Sequence, residues 1–425
     1  MKEITIIGAG ISGLACGWHL AKAGYKVTIL EKELISGGLA RSFPIKDTWL
    51  PLTYRHVLSP DKVTKAFIKK LGFLDQLEWV KSAQVFWYED KFYPLSRPQD
   101  IFGFKPLDFK SKIKLFYLGL YVWFRQDWDN LKDIDCDAWL NKIAGEKTTE
   151  LLFQNLMDIK FSMPLSSVSA AWLGKRLHQS VRNGYRYGYI ESGWQELINR
   201  MAADIIEKKG KILNNFEVTK ICSNSEIIGI ANDGKLNSVS GDIIVNTAPP
   251  PVFNNILNLS GKSKLLLKNI KYKSVISFVC GSAKDISGYY WSVVLKPHLI
   301  FGGFFNHTVL SSPKDKKGEY VYYFFTYLED TDPLFEYTEE KIKDLYLNDI
   351  NKLFPDFSLN WHRIFKIRFS QPIFTHGYHN PPIELAEHLY LAGVYRQFPK
   401  PRTMDAAFFS GLETAQHIIK KYGKN

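Results

Sequence analysis

Four glycines between residues 8 and 17 constrain this chain more than any other feature. The stretch from Ile4 to Lys32, ITIIGAGISGLACGWHLAKAGYKVTILEK, opens with a β-branched run suited to a buried parallel strand, and that run stops at Gly8. A turn this tight takes residues without a Cβ. Gly10 lets a backbone approach a pyrophosphate, whose charge then rests on the N-terminus of the helix opened by Ile11 and Ser12. Gly13 lets that helix close on the strand. Leu14, Ala15, Trp18, Leu20 and Ala21 give the helix a small apolar face, Gly24 stops it, and Lys26 to Leu30 forms a second strand. Glu31 ends that strand 21 residues after Gly10, the position from which a carboxylate accepts hydrogen bonds from an adenosine ribose.

An export signal is the competing reading. Lys2 supplies a basic start and Ala21-Lys22-Ala23 imitates a cleavage site, but a signal peptide needs a continuous apolar helix and these glycines interrupt one. A second glycine pair, Gly37-Gly38 in ISGGLARSF, is followed closely by Arg41. A second anion-receptive turn beside an arginine suits the far end of a long diphosphate cofactor, which points to FAD over NAD. The candidate cofactor contacts here are Gly8, Gly10, Ile11, Ser12, Gly13, Glu31, Lys32, Gly38, Leu39 and Arg41.

On these residues the chain resembles the FAD-dependent amine oxidase, protoporphyrinogen oxidase and phytoene desaturase superfamily, to which UDP-galactopyranose mutase is related. The likeness is strongest over the first 43 residues. It returns in YIESGWQELINRMAADIIEKKGKILNNFEVTKI, GDIIVNTAPPPVF and LYLAGVYRQFPKPRTMDAAFFSGLETAQHI, and the block KFSMPLSSVSAAWLGKRL is most like the bacterial protoporphyrinogen-oxidase-like branch. The resemblance implies an adenine contact from the backbone of Val218, a return of the chain to the cofactor domain's edge at Ala248, and flavin contacts near Gly393, Val394, Met404 and Ala406. Val394 stands where the family usually has an aspartate, which removes one hydrogen bond to the ribitol and leaves backbone groups to hold that end.

The expected fold is α/β plus α+β. A discontinuous Rossmann-like FAD domain takes 1–60, 190–265 and 386–425, and an antiparallel-sheet substrate domain takes 80–100 and 266–385. A helical insert takes 61–79 and 101–189, with DCDAWLNKIAGEKTTELLFQNLMDIKF its clearest helical portion. The helix after Gly193 should bury Leu197, Met201, Ile205 and Ile206. The runs SVISFVCG, YYWSVVL, HLIFGGFF and EYVYYFFTYL read as antiparallel strands, joined by AQVFWYEDKFYPL and interrupted by one helix from Glu339 to Leu353. Together they would roof a substrate cavity.

Composition bounds the rest. The 425 residues suffice for two or three domains, and the net charge of +12 fits an anionic surface, an acidic substrate or a lysine-rich proteome. Nothing resembles a nucleic-acid module. Cys16, Cys136, Cys222 and Cys280 are too scattered for a metal or disulfide framework, so a reducing, cytoplasmic compartment is expected. No apolar run is long enough to span a membrane. Residues 105–128, KPLDFKSKIKLFYLGLYVWFRQDW, read either as a buried helix or as an amphipathic helix lying peripherally on an anionic membrane.

A flavin carries the redox chemistry itself, so no nucleophilic triad is required. The loop WLPLTYRHVLSPD offers Arg55 and His56, the latter as a proton carrier or as a residue that merely orders its loop. Tyr378 is a third catalytic candidate and Arg396 follows the C-terminal turn. His376 and His379, near prolines, make a poor metal pair, and no metal is expected. The preferred reading is a flavin oxidoreductase that moves hydrogen to or from an apolar or amphipathic small molecule such as a polyprenyl lipid or porphyrinogen. The alternatives are a nucleotide-sugar mutase, with Arg55, Arg176, Arg182 and Arg186 as diphosphate ligands, and a membrane-bound flavoprotein without turnover. Oligomeric state is not legible.

Overall fold

The computed structural model describes residues 2–46, 48–161, 163–222, 226–257, 261–295, 298–310 and 319–423. The opening strand, Glu3–Ile7, lies inside a six-stranded sheet ordered Lys211–Leu213, Lys26–Leu30, Glu3–Ile7, Ile243–Asn246, Leu389–Leu391, Glu384–Ala386. Its first five strands are parallel and the last is antiparallel. Parallel strands covered on both faces must be apolar throughout, and Ile4, Ile6, Val27, Ile29, Ile243 and Val245 are all buried. The strand Ile243–Asn246 lies in the interior of the sheet, where its apolar run Ile243 to Val245 belongs, and the chain leaves it at Thr247 and Ala248.

The first helix, Ile11–Lys22, packs on helices Trp194–Glu207 and Met404–Tyr422. Small residues permit the approach: a Cβ on Gly411 would stand 2.2 Å from the Ser12 carbonyl oxygen. In helix Trp194–Glu207, Leu197, Met201 and Ile205 are buried as expected, but Ile206 is 56% exposed and Ile198 is buried instead. At about 100° per residue, Ile206 lies on the opposite side from Leu197.

A seven-stranded sheet is ordered Leu359–Pro372, Tyr272–Ser282, Tyr320–Leu328, Gly303–Asn306, Trp291–Val294, Gln84–Tyr88, Lys91–Pro94. It is mixed rather than antiparallel, because Trp291–Val294 pairs in parallel with Gln84–Tyr88. These two strands come from distant segments, so no hairpin loop dictates their sense. Alternation sorts the side chains. Phe278, Phe304, Tyr322 and Phe324 meet helix Glu339–Leu353, where Phe278 stacks on Tyr346 at 5.0 Å, while Phe305, Tyr323, Phe325 and Tyr327 join the main core on the opposite face.

The stretch after Asp135 is helical as expected, in consecutive pieces. Helix Cys136–Ala144 stops at Gly145, whose φ is +80°, and a wide π turn, Thr149–Gln154, precedes helix Asn155–Phe161. Helix Phe109–Phe124 buries only Ser111, Leu115, Leu118 and Val122.

His307 is buried between Tyr189 and Tyr323, with ring centroids at 4.7 Å and 5.6 Å, and its Nδ1 has no hydrogen-bond partner among the described residues. Burial pulls its pKa from 6.5 down to about 4. Because the folded value is depressed, the stability due to the neutral ring is full above pH 6.5 and is lost as pH falls toward 4. Between pH 7.5 and pH 5 this amounts to about 2 kcal/mol. Denaturant midpoints at the two pH values should show a smaller acid loss for His307→Phe than for the parent; an equal loss contradicts the assignment.

Candidate active site

Gly8 turns the chain at φ +97°, and its N–H donates to the Leu30 carbonyl at 2.8 Å. Behind it the Thr247 hydroxyl donates to the carbonyl of Ile7 at 2.7 Å, and a Cβ on Gly8 would sit 2.6 Å from that hydroxyl oxygen. A Cβ on Gly13 would lie 2.0 Å from the Gly8 carbonyl oxygen. Only glycines let strand, turn and helix close here. The helix begins after Gly10 with no side-chain cap and no acidic residue in its first turn, which suits its leading N–H groups to an anion.

Glu31 is buried at the end of the second strand, where it accepts the N–H of Ala9 at 2.7 Å and that of Glu33 at 3.0 Å. Burial raises its pKa, and these two hydrogen bonds oppose the rise. The second glycine turn docks on the first: Gly37 N–H donates to Ala9 at 2.8 Å, and a Cβ on Gly38 would approach the Gly10 Cα to 2.9 Å. Arg41 is paired with Glu33 at 2.7 Å, which partly offsets its charge.

One cavity of about 730 Å³ runs from these turns to the seven-stranded sheet. Every cofactor candidate from the sequence lines it except Gly13 and Ala406. Gly13 sits behind the turn as a packing residue. Ala406 spends its N–H on the Thr403 hydroxyl at 3.3 Å, while Met404 and Ala407 face the cavity. The N–H of Gly393 donates to Ser410 at 2.9 Å. A glycine cradle, an uncapped helix start and a buried carboxylate match the phosphates and ribose of a dinucleotide, so the residues present fit FAD.

The far end of the cavity is aromatic. Tyr54 stacks on Phe305 at 3.7 Å and its hydroxyl meets that of Tyr327 at 3.1 Å; Trp172, Tyr272 and Trp291 complete the wall. Arg55 donates to the carbonyls of Leu39 and Tyr54, and His56 Nδ1 meets the Tyr290 hydroxyl at 2.9 Å. Tyr378 does not reach the cavity. It is buried against Phe374 and Phe398, and its hydroxyl donates to the Tyr395 carbonyl, which removes it from the catalytic candidates. Arg396 turns away to Pro381 and Glu413. Of the four arginines considered as diphosphate ligands, Arg55 and Arg176 line the cavity; Arg182 lies over Trp123 and Arg186 is exposed on its strand.

Sequence reading missed Arg402, Trp172 and Thr247. Arg402 just precedes the cap of the last helix, and Trp172 and Arg176 stand four apart on helix Ala170–Arg182, which puts them on one face. That spacing was a usable signal.

Gly13→Ala should lower the flavin-to-protein absorbance ratio and destabilise the fold by about 1–3 kcal/mol through overpacking. Gly119→Ala, where a Cβ meets nothing within 4 Å, serves as the control that retains both. Equal flavin content in the two variants contradicts the cradle.

The comparisons with known proteins agree with this geometry. The profile of the family described as flavin containing amine oxidoreductase matches residues 11–419. An L-amino-acid oxidase from Echis ocellatus is 35% identical over 203 residues, which cover 45% of this chain and 37% of that protein, so the match spans well under half the length of this relative. A 15-cis-phytoene desaturase from Capsicum annuum is 24% identical over 483 residues, covering 99% of this chain and 78% of the desaturase. Among solved structures, a putative protoporphyrinogen oxidase from Exiguobacterium shares the fold with a TM-score of 0.79 at 15% identity, covering 99% of both chains. The chain belongs to the flavin containing amine oxidoreductase family, and FAD is its cofactor.

Proposed function

We propose that the protein is an FAD-dependent oxidoreductase that transfers hydrogen to or from an apolar or amphipathic small molecule of the polyprenyl or porphyrinogen type. The observation that carries this reading is the continuity of one cavity from the dinucleotide turns to an aromatic chamber under the seven-stranded sheet. In this reading residues 1–60, 190–265 and 386–425 hold the cofactor, 80–100 and 266–385 form the substrate-binding sheet domain, and 61–79 and 101–189 form a helical insert that meets the membrane through one of its helices. The flavin, when bound, supplies the acceptor or donor of hydrogen.

The chain's own residues supply orientation, exclusion of water and proton handling. Tyr54, Trp172, Phe305 and Tyr327 present flat faces to an extended apolar body and displace water from it. Burial pushes the Tyr290 phenol well above its ordinary pKa, so it stays protonated, and its hydrogen bond with His56 Nδ1 at 2.9 Å fixes the orientation of the imidazole ring. His56 lines the cavity with its ring fixed by Tyr290, and in this reading it is the proton carrier.

Membrane contact through helix Phe109–Phe124 is part of the proposal. Phe109, Ile113, Tyr117, Leu120 and Phe124 form one exposed face, with Tyr117 56% and Phe124 73% exposed, beside Trp123 and Phe102. Lys110 and Lys114 flank this stripe, and the helix itself contains no acidic residue. An apolar face rimmed by lysines complements an anionic bilayer. No helix among the described residues is long and apolar enough to cross a membrane.

Anaerobic addition of a detergent-solubilised lipid extract from the host should bleach the flavin bands of the purified protein. Persistent bands, with dithionite still reducing the flavin, contradict lipid oxidation. The helix is tested separately by flotation with vesicles. Binding should require anionic lipid, weaken with salt, and fall about tenfold or more for Leu120→Asp, since a buried leucine contributes about 1.5–3 kcal/mol. Unchanged flotation contradicts the membrane face, and concentration-dependent dimerisation abolished by the same substitution would assign it to a second copy.

A further inference from the structure

The aromatic chamber is strongly cationic. Arg55, Arg176 and Arg402 all line it, and each comes from a different segment. The Arg402 guanidinium lies 4.6 Å over the ring of Trp172, one turn before Arg176 on the same helix face. Arg55 follows Tyr54, which stacks on Phe305 in the same wall. The carboxylates lining the cavity are Glu31, Glu33 and Glu217, and all three belong to its nucleotide end. Arg41, Arg200, Arg368 and Arg396 pair with Glu33, Asp204, Glu336 and Glu413, whereas Arg55 and Arg176 make no ion pair among the described residues.

Hydrogen bonds from these guanidinium groups go to neutral acceptors, Arg55 to the carbonyls of Leu39 and Tyr54, Arg176 to Gln179 and Arg402 to Pro372. These satisfy donors and leave the positive charge of the chamber for an anion to offset. Asp61, the carboxylate that acts electrostatically on Arg176, is already engaged by the Leu58 N–H at 2.8 Å and by Gln179 at 2.9 Å. Burial pushes Asp61 up to about 7, so near neutral pH it offers only part of a charge. Burial also pulls Arg402 down to about 9, with Arg176 contributing to the shift, as expected where cations are gathered.

We propose that Arg55, Arg176 and Arg402 form an oxyanion-binding subsite, so that the substrate carries a carboxylate or phosphate head on its apolar body and protonated amines are rejected. This rests on the reading of the cavity as the site of an apolar substrate, and it narrows that class to anionic amphiphiles. Arginine is the suitable residue because its planar fork matches either oxyanion and its face stacks on tryptophan.

The test uses the FAD-loaded protein and reads the perturbation of the flavin spectrum. The probes are dodecyl phosphate, dodecanoate, dodecanol and dodecylamine below their micellar concentrations, with inorganic pyrophosphate and benzoate as short anions. At least one twelve-carbon anion should bind about tenfold more tightly than dodecanol, with dodecylamine weakest, and Arg176→Met should reduce that preference to about twofold while FAD remains bound. Preference for dodecyl phosphate over dodecanoate assigns a phosphate head; the reverse assigns a carboxylate. Equal binding of dodecanol and both anions overturns the subsite but leaves the apolar reading standing. Binding of the short anions alone, lost in Arg176→Met, supports the subsite and overturns the apolar reading. A wild-type protein without anion preference, together with loss of FAD from Arg176→Met and Arg402→Met, assigns the arginines to the cofactor and overturns the proposal.

Discussion

The close approach of two glycine turns beneath the first helix underlies the rest of the molecule. Gly8 and Gly13 bring helix Ile11–Lys22 down onto its strand, Gly38 lies against Gly10, and Gly411 lets the last helix settle on Ser12. Each contact is backbone against backbone or nearly so, at distances where a methyl group would collide. Segments separated by almost four hundred residues are thus locked together at the point where the cofactor's phosphates belong. The last helix therefore delivers Met404 and Ala407 to the cavity, and the residues just before it deliver Arg402.

From that anchor the cavity changes character along its length. Its nucleotide end is built of backbone N–H groups and a buried carboxylate, which discriminate by hydrogen bonding. Its other end is built of aromatic rings and guanidinium groups, the chemistry that the proposed anionic amphiphile calls for. The seven-stranded sheet supplies part of the wall of that end, because alternation along each strand gives one face to helix Glu339–Leu353 and the other to the main core and the chamber. The exposed apolar face of helix Phe109–Phe124 would serve the same proposal, since a substrate carried in a bilayer calls for a protein able to meet that bilayer.

Much of this was legible in the sequence where the physics is local. The glycine spacing, the alternating aromatic strands and helix Glu339–Leu353 each carry their cause within a few residues. What depends on partners distant in the chain was not legible. Tyr378 is polar and near the C-terminal cofactor segment, yet its hydroxyl is spent on the Tyr395 carbonyl. The parallel pairing of Trp291–Val294 with Gln84–Tyr88 follows from where two remote segments meet. Ile206 was misplaced by counting apolar residues instead of helical angle. Arg402 sits in a proline-rich loop with no periodicity to place it, and its position over Trp172 is a purely tertiary fact.

The proposed function requires FAD to lie along this cavity with its phosphates on the first helix and its ring system at the aromatic, arginine-lined end. A crystal structure of the flavin-loaded protein tests it most directly. The account predicts pyrophosphate density at the Gly10–Ser12 helix start, the ribose within hydrogen-bond reach of Glu31, and the isoalloxazine beside Met404 with the chamber of Tyr54, Trp172 and Tyr327 open above it. A reversed cofactor, or a chamber closed by its own side chains when flavin is bound, would contradict it.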